Sequence, residues 1–267
     1  MRAFACASAI SLGLLLAPAA SLAASPPRRV ASLNLCTDEL LMLLAEPRQI
    51  ASVTHLGQNP AETPLWRQGR AYPRNDGSLA AVAALRPDLV LTMGGGARDR
   101  VGLAARLGIP TVDLPYPQSL GDIEAAVARV SAALGHPERG RAVLARLAAL
   151  KAAAPARALD AIWLGGGGRT VGASGLEAQW MRLAGLAQRP LAGDRVSLET
   201  LLVGPPAVLL RSDYRSGQYS AGQRWLRHPL AARARAGRTL VTDGRLWTCM
   251  GPLMIGEIAR LRNGLGR

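Results

Sequence analysis

Two strand-containing regions separated by a long strand-free helical stretch predict an α/β protein with two lobes, each built on a mainly parallel sheet. Three observations carry that expectation. Short apolar runs alternate with helical periodicity, as in strands whose crossovers are helices. Ile123, Val127, Val130 and Leu134 fall at i, i+4, i+7 and i+11, one face of an amphipathic helix. Val143, Leu147 and Leu150 repeat that spacing as far as Pro155, after a break at Gly135-His136-Pro137. Finally, SLAAVAALRPDLVL from Ser78 and SLETLLVGPPAVLL from Ser197 match at an offset of 119 residues, with Ser, Leu, Pro and Leu in place. Each reads as a short helix, a proline turn and a buried strand, and the helical stretch lies between them.

The chain reads in four parts. Residues 1–23 have the form of a secretory signal peptide. Arg2 gives the positive start, 10–16 the apolar core, Pro18 its break, and Ser21-Leu22-Ala23 a small-x-small cleavage site. The core is too short to span a bilayer, and Cys6 precedes it, so Cys6 does not fit a lipid-attachment site. Residues 24–118 form the first α/β lobe. Here 30–35 is a β-capable run, and Thr37 is a candidate N-cap with Asp38 and Glu39 in the first turn, where the helix dipole favours acids. A buried helix continues over 40–44, and 50–54 and 88–92 read as strands, the latter ended by Gly94-Gly95-Gly96. A helix over 97–107 capped by Gly108 and a strand over 109–114 complete the lobe. Residues 119–156 are the helical connector. Residues 157–267 are the second lobe, with strands at 159–164, 207–210 and 239–242 and helices at 177–184 and 252–261.

The composition excludes several classes. The 267 residues are 49% hydrophobic and 19% charged, which fits a globular chain. The net charge of +14 is almost all arginine, since Lys151 is the only lysine. Those arginines are scattered through helices without a dense basic run interleaved with aromatics, and an exported chain does not meet cytoplasmic nucleic acid. A field that favours anionic small ligands is the remaining inference, with Arg-rich genome bias as the simpler reading.

Catalytic and metal motifs fail on inspection. No HExxH or P-loop is present. Neither glycine run completes GxGxxG, and Gly172-Ala173-Ser174-Gly175 misses GxSxG by one position. His55, His136 and His228 lack ligand spacing. His136 and His228 precede prolines as turn residues, whereas His55 ends a strand, where open α/β sheets build sites. The glycines at 94–96 and 165–168 follow strands and let a ligand approach the backbone, or simply make turns. Trp66, Tyr72, Tyr116, Tyr214, Tyr219 and Trp247 lie in expected loops. This suggests a stacking surface for a large flat ligand, with ordinary loop packing as the plainer reading of each.

The runs RVASLNLCTDELLMLLAEPRQIASVT, DGSLAAVAALRPDLVLTMGGG and RLGIPTVDL resemble, in that order, the N-lobe of periplasmic vitamin B12- and iron-siderophore-binding proteins of ABC importers. In the second half, SLETLLVGPPAVLL and TLVTDGRLWTCMGP occupy the matching places, so the resemblance covers roughly residues 28–265. It implies two α/β lobes joined by a long backbone helix, with little hinge motion. It further implies a corrinoid or ferric-siderophore chelate in the interlobe cleft, no catalytic role, no protein-bound cofactor or metal, and an ABC permease as partner. The protein would be periplasmic and meet the membrane only through the permease. Residues facing the cleft would be Cys36, Thr37, His55, Tyr72, Gly94, Gly95, Tyr214, Trp247 and Cys249. Docking would use an exposed acid per lobe. Glu199 fits in SLET, but Ala80 stands at the matching place in SLAA, so Asp76 is the nearest substitute. A haem or bare-metal receptor and an exported enzyme on a similar scaffold are the alternatives.

Two cysteines remain after residue 23. In the implied architecture both border the cleft, from opposite lobes. A disulfide across it, two free thiols facing a soft metal centre, and unrelated buried cysteines stay open.

Overall fold

The computed structural model describes residues 25–94, 98–213 and 237–266. The expected signal peptide therefore lies outside the described residues, as do Gly95, Tyr214, Tyr219 and His228.

The first lobe begins with β1 (Val30–Ser32), α1 (Leu35–Leu44), β2 (Ile50–Thr54) and α2 (Trp66–Gly69). It continues through β3 (Arg74–Asn75), α3 (Leu79–Ala83), β4 (Leu89–Met93), α4 (Arg98–Arg106) and β5 (Thr111–Leu114). Its sheet has the order β3-β2-β1-β4-β5 with every pairing parallel. The second lobe contains β6 (Leu159–Leu164), α7 (Leu176–Leu183), β7 (Leu186–Gln188), α8 (Leu198–Val203), β8 (Val208–Asp213), β9 (Arg238–Asp243), α9 (Leu246–Cys249) and α10 (Met254–Gly264). Its sheet, β7-β6-β8-β9, is also parallel throughout. The two sheets superimpose in topology. β6, β7, β8 and β9 repeat β1, β2, β4 and β5, and β3 is the one extra strand among those described. The repeated segments fall in the same slot: α3 and α8 are each capped by the hydroxyl of the serine before them and lead into the strand beside the first one of the lobe.

Between the lobes lie α5 (Leu120–Ala133) and α6 (Pro137–Ala152). Proline and glycine break the stretch at 135–137, so the bridge is a pair of packed helices, the longer spanning about 24 Å. Gly140 permits their close crossing, because a Cβ there would lie 2.1 Å from Ser131 Oγ. Each helix touches both cores. Leu120, Ile123, Leu147 and Leu150 pack into the second lobe with Trp180 and Ile258. Val127, Val130 and Leu134 pack into the first lobe with Leu41 and Leu91, joined by partly buried Leu144.

Strand alternation splits each core in two. Val30 and Leu91 point to the face covered by α1 and the connector, whereas Ala31 and Val90 meet Leu79 and Val82 of α3 on the opposite face. In the second lobe Ala161 and Leu210 face the connector, whereas Ile162 and Leu164 meet Leu201 of α8. These are called the connector face and the far face below.

Some local expectations change. The N-cap of α1 is Asn34, whose side chain accepts from the Cys36 N–H at 2.8 Å. Thr37 sits inside the first turn instead, its hydroxyl donating to the Asn34 carbonyl at 2.9 Å. Trp66 and Trp247 lie on the short helices α2 and α9, not in loops. The strands β3 and β7 are too short to show as periodic runs.

Candidate ligand cleft and interlobe contacts

In parallel sheets every strand ends on the same side, and the loops there build sites. Two contacts put those ends of the lobes face to face. Cys36, just beyond β1, is disulfide-bonded to Cys249 at the end of α9, with Cα atoms 5.2 Å apart over a sequence separation of 213. Arg245, just beyond β9, donates to the Pro60 carbonyl at 2.8 Å and the Thr63 carbonyl at 3.5 Å, both in the loop after β2. The disulfide resolves the three readings of the cysteine pair, and neither sulfur is available as a thiolate.

The two walls beside this junction differ in chemistry. On the first lobe, Asp38 and Glu39 are almost fully buried. Asp38 accepts from the Thr54 N–H and, at 2.5 Å, from the Thr54 hydroxyl. Gly57 leaves room for it, since a Cβ there would sit 2.6 Å from Asp38 Oδ2. Glu39 accepts from the Thr63 hydroxyl at 2.7 Å. Burial pushes both carboxyls up to about 7, and the hydrogen bonds only partly offset it; repulsion from Asp38 adds to the rise at Glu39, and Arg245 opposes it. On the second lobe, Asp243 grips the Arg245 guanidinium and raises its pKa further. The Trp247 N–H donates to Thr242 Oγ1 at 2.9 Å, and Thr242 donates to Glu257 at 2.6 Å. Burial alone would raise the Glu257 carboxyl, but Arg260 and Thr242 outweigh it and hold it low.

The expected ligand residues are only partly gathered. Cys36 and Cys249 meet in the bridge. The Thr37 hydroxyl is also 2.8 Å from Ser32 Oγ, so its bonding lies inside the lobe. His55 is half-buried beyond β2, its N–H donating to the Asn75 carbonyl at 2.8 Å. Gly94 ends β4 at φ +96, and the Tyr116 ring lies where its Cβ would be. Tyr72 precedes β3 and packs toward the core of the connector face, at the opposite end of the strand from His55. Trp247 is 7% exposed, against Trp163 with ring centroids 5.8 Å apart. Trp163 itself rests on Gly165, as Tyr116 does on Gly94. Glu199 is exposed at the start of α8, its charge favoured by the Ser197 side chain. Asp76 is exposed after β3 and held low by Ser78.

Sequence reading missed Asn34, Thr63 and Arg245. Arg245 follows Asp243 at a strand end, a local signal for a held guanidinium. Its partner Pro60 is 185 residues away, and no spacing announces that.

Facing parallel-sheet lobes with a helix pair seated in both cores define a bilobal α/β protein whose strand-end loops lie between the lobes. The family model for periplasmic binding proteins matches residues 30–239, and the chain belongs to that family. Among curated proteins, no sequence matches. Solved structures share the fold. A periplasmic heme-binding protein of Pseudomonas aeruginosa is 20% identical with a TM-score of 0.63, covering 89% of this chain and 92% of that one. The periplasmic heme-binding protein RhuT of Roseiflexus sp. RS-1 is 22% identical with a TM-score of 0.66, covering 88% and 96%. The periplasmic vitamin B12-binding protein BtuF of Vibrio cholerae is 16% identical with a TM-score of 0.62, covering 89% and 96%.

Proposed function

We propose that this chain is the substrate-binding component of an ABC importer and captures a metal chelate, a corrinoid or ferric siderophore, between its lobes. The observation that carries this reading is the carboxyl-end-to-carboxyl-end pairing of two parallel sheets in a member of the binding-protein family. Residues around the junction hold one another through fixed hydrogen bonds, which suits holding a ligand better than turning it over. Haem is the second reading, supported by the heme-binding proteins among the structures of similar fold. His55 and Gly94 supply imidazole and backbone contacts from the first lobe and Trp247 an aromatic contact from the second, with Gly95 and Tyr214 as further ligand contacts. Residues 1–23 direct export and are removed, so the mature chain begins near Ala24.

Purified mature protein is screened by thermal shift against cyanocobalamin, a ferric hydroxamate siderophore and haemin. One of them is expected to raise the melting temperature, since ligand at about a hundred times Kd stabilises by about 2.7 kcal/mol. The bound compound should be recovered unchanged. No shift with any of the three, and no binding by calorimetry, would remove the metal-chelate reading. Glu199→Arg is expected to impair transport while affinity is kept; transport at the native rate would remove Glu199 from the permease contact, leaving Asp76 to be tested in the same way.

A further inference from the structure

The interlobe ties described above all fall on one side of the molecule. The connector helices contribute their apolar residues to the two cores on the connector face. Cys36 begins α1, which covers the connector face of the first sheet. Cys249 ends α9, whose Leu246 and Trp247 belong to the connector-face core of the second lobe. Arg245 reaches Thr63, which in turn bonds Glu39 on α1. Bridge, arginine and threonine thus close a ring with α1: Cys36 to Cys249, Arg245 to Thr63, Thr63 to Glu39, three residues along the helix from Cys36.

Both ends of the bridge are fixed within their own lobes. The Asn34 side chain holds the Cys36 N–H. On the other side, the buried Trp180 N–H donates to the Met250 carbonyl at 3.0 Å, directly after Cys249. Met250 adopts a left-handed backbone, φ 49 and ψ 28, which a non-glycine residue holds only when its surroundings impose it. A covalent link between two such fixed points joins the lobes themselves, not two slack loops. On the far face, among the described residues, α3 and α8 each pack into their own lobe, Ala31 with Leu79 and Val82 in one and Ile162 with Leu201 in the other.

We propose that the Cys36–Cys249 bridge makes the cleft a one-sided jaw: the lobes are pinned along the connector face and open only along the far face. This rests on the binding-protein reading for its consequence. The helices α3 and α8 begin beside Asp76 and at Glu199, the acids assigned to the permease, so the transporter grips the side that moves while the bridge holds the other. Ligand then leaves through the far edge without the lobes separating.

The test uses ligand-free mature protein, so it stands or falls apart from ligand identity. Spin labels attached by non-cysteine chemistry report two interlobe distances. One pair, at Ala81 and Leu202, spans the far face; the other, at Arg67 and Gly256, spans the connector face. In the oxidised native chain the far-face distribution is expected to be about twice as wide as the connector-face one. In the Cys36→Ser/Cys249→Ser variant the connector-face distribution is expected to widen toward the far-face value. Should that variant fail to fold, reduction of the folded native chain gives the same reading. A far-face distribution no wider than the connector-face one, or a connector-face distribution unchanged by loss of the bridge, overturns the proposal.

Discussion

The two lobes share one topology and are held by different means. Beside the cleft, the first lobe buries hydroxyls, an amide and two carboxyls: Ser32, Thr37, Ser52, Thr54, Asn75, Asp38 and Glu39. Asn75 ties three strands together, donating to the Ser32 carbonyl and the Ser52 hydroxyl and accepting from the Gly77 N–H. At the matching level the second lobe sets indoles: Trp163 against Trp247, and Trp180 with no exposed surface. A hydrogen-bonded wall is specified by direction and by protonation. An apolar wall is specified by volume and responds little to pH. The same fold therefore yields one wall with two carboxyls held protonated up to about 7 and one whose buried carboxyl, Glu257, is held charged by Arg260 and Thr242.

The largest expected effect probes the apolar side. Trp180→Ala removes a fully buried indole and leaves the Met250 carbonyl without its donor. It should cost about 3–5 kcal/mol in urea unfolding, as large-to-small core changes do, and by a similar amount at any pH from mildly acidic to neutral. A loss well under 1 kcal/mol would mean that the second lobe does not depend on its indoles.

The next effect probes the polar side. Asp38 and Glu39 hold their protons up to about 7 in the folded chain, far above an unfolded carboxyl near 4. Between those values the unfolded chain has lost protons that the folded chain keeps. The stabilisation is thus complete below about 4 and is lost as pH rises through about 7. Unfolding free energy followed across this window should fall with rising pH, by up to about 4 kcal/mol for each group that acts fully. Asp38→Asn, which stays uncharged, should flatten the slope. An unchanged slope in that variant would place the pH response elsewhere and weaken the contrast between the lobes.

The sequence shows the shared part of the lobes better than the differing part. Periodicity marks β2 and β6, the long connector helices and the last helix closely, because burial repeats at strand or helix spacing there. It passes over β3 and β7, where two or three residues join a sheet edge and tertiary pairing alone makes them strands. Thr37 looks like a cap because it precedes two acids, but Asn34 reaches the helix first. The acids read as first-turn groups favoured by the helix dipole, and only the loop carrying Gly57 and Thr63 folds over and buries them. The cysteines are visible as a pair; their bonding depends on how two lobes meet, which local pattern does not encode. The acid of SLET, Glu199, stands exposed beside its serine cap.

The smallest expected effect tests whether the repeat is energetic as well as visible. Ser78 Oγ accepts from the Ala81 N–H at 3.1 Å, and Ser197 Oγ accepts from the Thr200 N–H at 3.2 Å. Each satisfies one of the donors that a helix leaves free at its start. The helices are short, five residues in α3 and six in α8, so little else holds their first turns. Ser78→Ala and Ser197→Ala should therefore each cost about 1 kcal/mol. One difference is Thr200, whose hydroxyl lies 3.1 Å from Ser197 Oγ and loses that contact as well. Ser197→Ala should on that account be the more costly change by a few tenths of a kcal/mol, within the usual spread of cap effects. Measuring both by urea unfolding compares equivalent positions in one molecule, free of differences in host or solvent. A difference above about 1 kcal/mol between them would mean that the two segments share letters and geometry but not the forces that set them.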